Sequence, residues 1–545
     1  MRSIRLHPPL LGLIVAVALA AVGVFLMLAS AARPAHAASP AATACAAGTD
    51  VQIADGPICG ITVNGVNEWL GIPYAAPPVG NLRWEPPTAP TPWTSTLQAT
   101  AFGNQCIQVS GGSEDCLYLN VWRPADSSTD LPVMVHIHGG GFFNGNGNAD
   151  NSLLATTGDE VIVSMNYRLN IFGFLADRAL GPNSGDYGLM DQQAALRWVQ
   201  KNISQFGGDP SNVTIFGESA GGSSVCDQIA SPTAAGLFER AISTSGEYNT
   251  VLGTQEQSPR TPEDLESQDC KSQLPTQREA DAAGKAFAAA VGCGPGTADV
   301  VACLQAAPIS AIEAAAWTPG DGFQYGGDGT VAPTINGTTL PMTLRQALAA
   351  GQVNRVDVIA GTDRDEDLVG TATSAAQYQS LVATQYGQFA SEVLAHYPLS
   401  RFDSPGVAFR TVAADSDTVC PSLETDRDLA SRMPVYAYEI DDNDIPPYAA
   451  AGGVAAGASH VGAWFLNPVT PALDANQQVL QNQEIEYVTS FARTGDPLTA
   501  GAPAWPRFNT TAEEMSLQPA GDSEVVTEAE VSAQHNCAFW DRISG

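Results

Sequence analysis

Val213-Thr214-Ile215-Phe216-Gly217-Glu218-Ser219-Ala220-Gly221-Gly222 decides how the rest of the chain reads. Its first four residues are β-branched or aromatic and suit a buried strand. Gly217-Glu218-Ser219-Ala220-Gly221 then sets a glycine on either side of a serine. A serine at the apex of a strand-to-helix turn has strained backbone angles, and flanking glycines let neighbouring segments approach it closely. The helix that follows turns its first amides toward developing negative charge. Ser219 is therefore the candidate nucleophile. Three fixed letters recur by chance, so the motif needs its surroundings. Leu196, Val199, Ile203 and Phe206 form an apolar stripe at helical spacing just upstream. Gly207-Gly208-Asp209-Pro210 stops that helix. Helix, stop, strand, sharp turn and helix is the context such a serine requires.

Working outward, Val133 to Ile137 reads as a strand that runs into His138-Gly139-Gly140-Gly141-Phe142. Consecutive glycines after a strand expose backbone N–H groups with no side chains in the way, which suits a preformed oxyanion site. Val161 to Asn166, Val356 to Ala360 and Val435 to Ile440 read as further strands. Residues 250–330 are rich in Gly, Pro, Ala and acids. The reading is one large α/β domain with insertions.

The chain has 545 residues, a formal net charge of −33 and ten cysteines. Residues 1–37 have the pattern of an export signal: Arg2 and Arg5, an apolar run from Leu10 to Ala32, and a small-x-small site at Ala35-His36-Ala37. The apolar run is also long enough to span a bilayer if it stays uncut. Residues 38–50 read as a flexible lead-in, and 51–545 as a single catalytic domain. The leader carries arginines and no acid, so the remainder is more acidic still. Such a surface repels nucleic acid and anionic membranes. Membrane contact would come only through an uncleaved leader or a lipid substrate. An even cysteine count in an exported chain argues for disulfides, and no cysteine or histidine cluster has metal-site spacing. The expected location is secreted or attached to the cell envelope.

A serine nucleophile needs a base and an acid to hold that base, in the chain order serine, acid, histidine. Of seven histidines, His7 and His36 belong to the leader, and His136 and His138 precede the serine. His396 lies on a helix-like surface stretch and His535 beside Cys537. His460 sits on a small-residue loop after a strand, so elimination favours it. The acid falls in Asp365-Glu366-Asp367, after a strand end, and the residues themselves do not choose among the three.

These segments together resemble the type-B carboxylesterase/lipase family, the cholinesterase-like α/β-hydrolases. The likeness runs from about Val51 to Trp540 and adds Glu114-Asp115-Cys116-Leu117-Tyr118-Leu119-Asn120 as a second signature. It implies the α/β-hydrolase fold: a large, mostly parallel central sheet flanked by helices, with helical insertions. It implies Ser219 as nucleophile, His460 as base and Glu366 as acid, since Arg364-Asp365-Glu366 matches the family's stretch. The N–H groups of Gly140, Gly141 and Ala220 would form the oxyanion hole, and Glu218 would order water beside it. Arg83 with Glu114 and Arg168 with Asp191 look like structural ion pairs. The resemblance also implies disulfides Cys106–Cys116, Cys293–Cys303 and Cys420–Cys537, leaving Cys45 with Cys59 and Cys226 with Cys270. No metal or organic cofactor is expected.

The implied activity is hydrolysis of carboxylic esters of small molecules or lipids, on short to medium acyl chains. A long-chain lipase and a catalytically inactive, cholinesterase-like binding protein are the alternatives. Val461 and Ala463 depart from the family's pattern after the histidine, and Asp367 from its pattern after the acid. The Cys106–Cys116 loop is short and lacks tryptophan, which argues against a choline-ester specialist.

Overall fold

Fourteen strands are seen among the described residues of the computed structural model, which are 45–126, 128–182, 184–246, 274–316, 333–365, 372–442 and 473–544. In chain order they are β1 Val51–Ile53, β2 Gly56–Cys59, β3 Ile61–Val63, β4 Val66–Pro73, β5 Leu97–Gln98, β6 Tyr118–Pro124 and β7 Leu131–Ile137. Then follow β8 Val161–Met165, β9 Gly208–Glu218, β10 Arg240–Thr244, β11 Asp357–Asp363, β12 Val435–Ile440, β13 Glu513–Leu517 and β14 Glu524–Thr527. Eleven of them form one sheet in the order β14-β13-β12-β11-β10-β9-β7-β8-β6-β4-β3. The pairings from β8 across to β13 are all parallel, and the sheet is antiparallel only toward its edges. The remaining three make a small sheet, β1-β2-β5.

The central strands explain why a continuous apolar run was the right signal. Every residue of β7, β8 and β12 is buried, as expected where helices cover both faces of a parallel sheet. Side chains alternate between the faces. Val133, Val135 and Ile137 join Ile215 in a core shared with Leu196, Val199, Val225 and Ile229. Those partners come from two helices, α1 Tyr187–Asn202 and α2 Ala220–Ala230. Met134, Phe216, Ile242 and Ile359 face the other way, against Leu480, Ile485, Val488 and Phe491. These belong to a long helix, α3 Ala475–Thr494.

The apolar stripe ends as α1 tightens into a 3-10 turn, Ile203–Phe206, closed by Gly207 at φ 86°. Strand β9 begins at Gly208, earlier than the apolar run suggests. It takes in Pro210 where the register against β7 shifts between Leu131 and Val133, an irregularity that accommodates a residue without an N–H. Strand β11 likewise continues three residues beyond Ala360.

Residues 45–50, within the expected lead-in over 38–50, make contacts with the strands that follow. Cys45 is disulfide-bonded to Cys59. Thr49 is buried, and its Oγ1 donates to Gly60 O at 2.9 Å. Trp69 Nε1 donates to Thr49 O at 2.8 Å. Further disulfides join Cys106 to Cys116, Cys293 to Cys303 and Cys420 to Cys537. Cys226 is also disulfide-bonded, while Cys270 lies outside the described residues. Two buried ion pairs are bidentate: Arg83 with Glu114 at 2.5 and 2.7 Å, and Arg168 with Asp191 at 2.7 and 2.8 Å. Arg83 also donates to Ala307 O at 2.7 Å, at the end of the helix Val300–Ala306. Among the described residues no helix is long and apolar enough to cross a membrane.

Candidate active site

Three parallel strands end side by side at the crest of the sheet. Ile137 of β7 is in register with Gly217, and Thr244 of β10 with Glu218. Ser219 follows immediately, at φ 57° and ψ −126°, and α2 starts at the next residue. A non-glycine residue in this region costs roughly 1–3 kcal/mol and persists only where its surroundings over-determine it. Here Ser219 N–H donates to Thr244 O at 3.0 Å, and Ser219 O accepts from Ser223 N–H at 2.8 Å. The side chain makes no capping bond to the helix, so the hydroxyl is not spent on its own N-terminus. The flanking glycines are there for space. A Cβ on Gly217 would stand 2.6 Å from Ile137 O, and one on Gly221 would collide with the same carbonyl.

The glycine loop lies against this turn. A Cβ on Gly139 would stand 2.6 Å from Glu218 O and 3.2 Å from Ser219 Cβ. Gly140, Gly141 and Phe142 all have positive φ, at 105°, 62° and 62°. Gly140 O accepts from Phe143 N–H at 3.2 Å and Asn144 N–H at 2.9 Å. The N–H groups of Gly140 and Gly141 have no acceptor among the described residues. Ala220 N–H is the first of α2 and has no partner within the helix. The Glu218 carboxylate is close by, with Oε2 3.0 Å from the place a Gly139 Cβ would take.

Two histidines stand at the end of β7. His138 Nδ1 is 2.8 Å from Gly139 O, its ring stacks on Tyr167 at 4.3 Å, and Tyr167 Oη donates to His138 O at 2.7 Å. Burial pushes the His138 imidazole down to about 4, against the hydrogen bond to Gly139. Burial and then its neighbour His138 push His136 down to about 3. Both rings are neutral near pH 7, so Nδ1 of His138 carries the proton that it donates to Gly139 O. Tyr167 is held protonated by burial and by the Glu218 charge.

The stretch expected to hold the acid follows the next strand but one, β11. Gly361 of β11 is in register with Thr244, and Ser245 N–H donates to Gly361 O at 2.8 Å. After β11, Arg364 pairs with Asp365 at 2.6 Å and also with Asp441. Asp365 is thus committed to a guanidinium. Glu366, its rival Asp367, and His460 lie outside the described residues.

The remaining histidines have other settings. His396 is on an exposed helix surface, stacked on Phe539 at 4.2 Å. His535 is buried between two carboxylates, with Nδ1 2.6 Å from Asp415 Oδ1 and Nε2 2.9 Å from Glu439 Oε2. Tyr397 Oη donates to Asp415 Oδ2 at 2.7 Å.

The carboxylesterase family model matches residues 47–540. The chain belongs to the carboxylesterase family. It is a carboxylic ester hydrolase, and esters are its substrates. The para-nitrobenzyl esterase of Bacillus subtilis (strain 168) is 39% identical over 328 residues, which is 57% of this chain and 61% of that one. The fumonisin B1 esterase of Sphingopyxis macrogoltabida is 31% identical over 83% of both chains. A solved structure of a PNB esterase superposes with a TM-score of 0.71 at 30% identity, covering 90% of this chain and 99% of that one. In this carboxylesterase the sequence singled out the serine turn and the glycine loop, and the fold brings them into contact. It did not single out Gln108 and Asn170, which grip the glycine loop from outside. Asn170 has φ 48°; asparagine is among the few residues that tolerate this region, and that was the only signal.

Proposed function

We propose that this carboxylesterase hydrolyses esters of short to medium acyl chains through an acyl-enzyme on Ser219. His460 takes the proton as Ser219 Oγ attacks the carbonyl carbon, and Glu366 orients and stabilises the imidazolium. The N–H groups of Gly140, Gly141 and Ala220 hold the oxygen as it gains charge. His460 then protonates the leaving alcohol. Water, ordered with the help of Glu218, repeats the attack on the acyl-enzyme and regenerates the serine. The observation that carries this reading is Ser219 itself, strained at the crest of the sheet, beside the glycine loop and at a helix N-terminus. Export to an oxidising compartment is part of the reading, supported by the disulfides.

The test is turnover of p-nitrophenyl esters from acetate to palmitate by the oxidised protein. Activity should peak on the shorter chains, and Ser219→Ala should lower kcat by about 10⁴-fold or more. A maximum on palmitate would make the enzyme a long-chain lipase. Turnover that survives Ser219→Ala, or folded protein with none, would overturn the mechanism.

A further inference from the structure

The glycine loop holds three consecutive residues at positive φ, and no strand or helix ladder holds them there. Two buried residues reach it from elsewhere, Gln108 by its side-chain amide and Asn170 by its backbone. Gln108, 2% exposed, binds both backbone groups of Gly145: Gly145 N–H donates to Oε1 at 3.0 Å, and Nε2 donates to Gly145 O at 2.9 Å. Asn170, fully buried, donates its backbone N–H to Phe142 O at 2.6 Å. The loop is therefore gripped at Phe142 and at Gly145, just beyond the glycines.

Both grips lead to the same place. Asn170 Nδ2 donates to Ile107 O at 2.5 Å, and Asn170 Oδ1 accepts from Phe172 N–H at 3.2 Å. Gln108 is the next residue along, and Nε2 also reaches Cys106 O at 3.2 Å. Gln108 and Gly111 exchange both backbone hydrogen bonds, at 3.0 and 2.9 Å. Ile107, Gln108 and Gly111 all sit inside the short segment closed by Cys106–Cys116. A bidentate amide on a backbone is a directional constraint, and a buried one left half-satisfied is costly.

We propose that Gln108 and Asn170 are positioning residues for ester hydrolysis. They hold the glycine loop so that its N–H groups meet the oxyanion, with the Cys106–Cys116 segment as their common frame. This rests on the mechanism proposed above. Neither residue touches substrate. Their effect is confined to how well Gly140 and Gly141 are aimed.

The test compares wild type, Ser219→Ala, Gln108→Met, Gln108→Glu and Asn170→Gly, each with its disulfides verified by mass spectrometry. Gln108→Met keeps the length and loses the amide. It should lower kcat by about 10–100-fold with KM changed less than about 2-fold, because misaimed donors weaken the transition state and not the bound ester. Inhibition by a trifluoromethyl ketone, which adds to the serine to give a charged tetrahedral oxygen, should weaken by the same factor as kcat/KM. Gln108→Glu keeps an acceptor for Gly145 N–H but turns an oxygen toward Gly145 O and Cys106 O, and should lower kcat at least as far as Met; it decides the matter if Gln108→Met does not fold. Asn170→Gly keeps the backbone angle and the bond to Phe142 but loses the tie to Ile107, and should cost about 3–10-fold in kcat. Unchanged kcat and ketone affinity in folded Gln108 variants, with Ser219→Ala inactive, would overturn the clamp alone. Activity in Ser219→Ala would overturn the mechanism beneath it.

Discussion

His138 and His535 are both buried, 4% and 3% exposed, and they end in opposite charge states. At the crest of the sheet His138 meets a carbonyl and a tyrosine ring, and burial drives its imidazole down to about 4. At the C-terminal end burial acts in the same direction on His535. Asp415 and Glu439 outweigh it there and push the imidazole well above its ordinary value. The same desolvation is thus reversed only where ionised carboxylates stand at contact distance. The two regions use this difference for different ends. Beside Ser219 a neutral ring spends one N–H on Gly139 O and adds no charge to the loop. Near the C-terminus a cation joins a helical segment, strand β12 and the last turn before Cys537.

The largest way to break the contrast is to delete the cation. His535→Gln leaves Asp415 and Glu439 buried without their partner, and should destabilise the fold by about 3–5 kcal/mol in urea titration at pH 7. Undiminished stability would mean that the two carboxylates do not depend on it.

A smaller effect sharpens the contrast through pH. Burial, then the Glu439 charge, raises Glu514 from its ordinary 4.5 to about 8, with His535 opposing. A carboxyl whose folded value lies above its unfolded one stabilises fully below the unfolded value and loses that contribution as pH rises through the folded one. His535 has the same sign, present below about 6.5 and lost above its raised value. Wild type should therefore lose stability between pH 5 and pH 9. Glu514→Gln should flatten that loss, with a gain of up to a few kcal/mol at pH 9 and little change at pH 5. Parallel curves for the two proteins would remove Glu514 from the account.

The smallest expected effect is none. ¹⁵N spectra of the imidazoles should show His138 neutral and untitrated from pH 5 to pH 9, while His535 stays protonated through neutrality. A His138 midpoint near 6.5 would mean that water reaches the ring.

The serine turn and the glycine loop were legible in the sequence because both are local. A short run of residues carries the strand, the steric need for glycine and the helix start. The central strands were legible for the same reason, since a strand covered on both faces is a continuous apolar run. What the sequence leaves hidden is carried by contacts between distant residues. Gln108 meets Gly145 across 37 residues, and His535 meets Asp415 across 120. A buried glutamine has no periodicity, and its amide fits any exposed peptide group. A histidine beside a cysteine near a chain end gives no sign that two carboxylates await it. At the start of β9 a proline and a polar run hide in the sequence a strand that the neighbouring β7 keeps in register.

The order of β7 and β9 in the sheet bears on how activity arises during folding. They are neighbours, yet β8 and α1 lie between them in the chain, and β8 pairs with the other side of β7. Glycine loop and serine are therefore strangers until residues 138–207 have folded back across the sheet. Parallel pairing of this kind is slow, because chain must be closed before its contacts accrue. A slip of one residue would turn every side chain of β9 to the wrong face and draw Gly139 away from Ser219. Returning turnover would thus require the registration of these two strands, and would lag behind the return of helix and sheet.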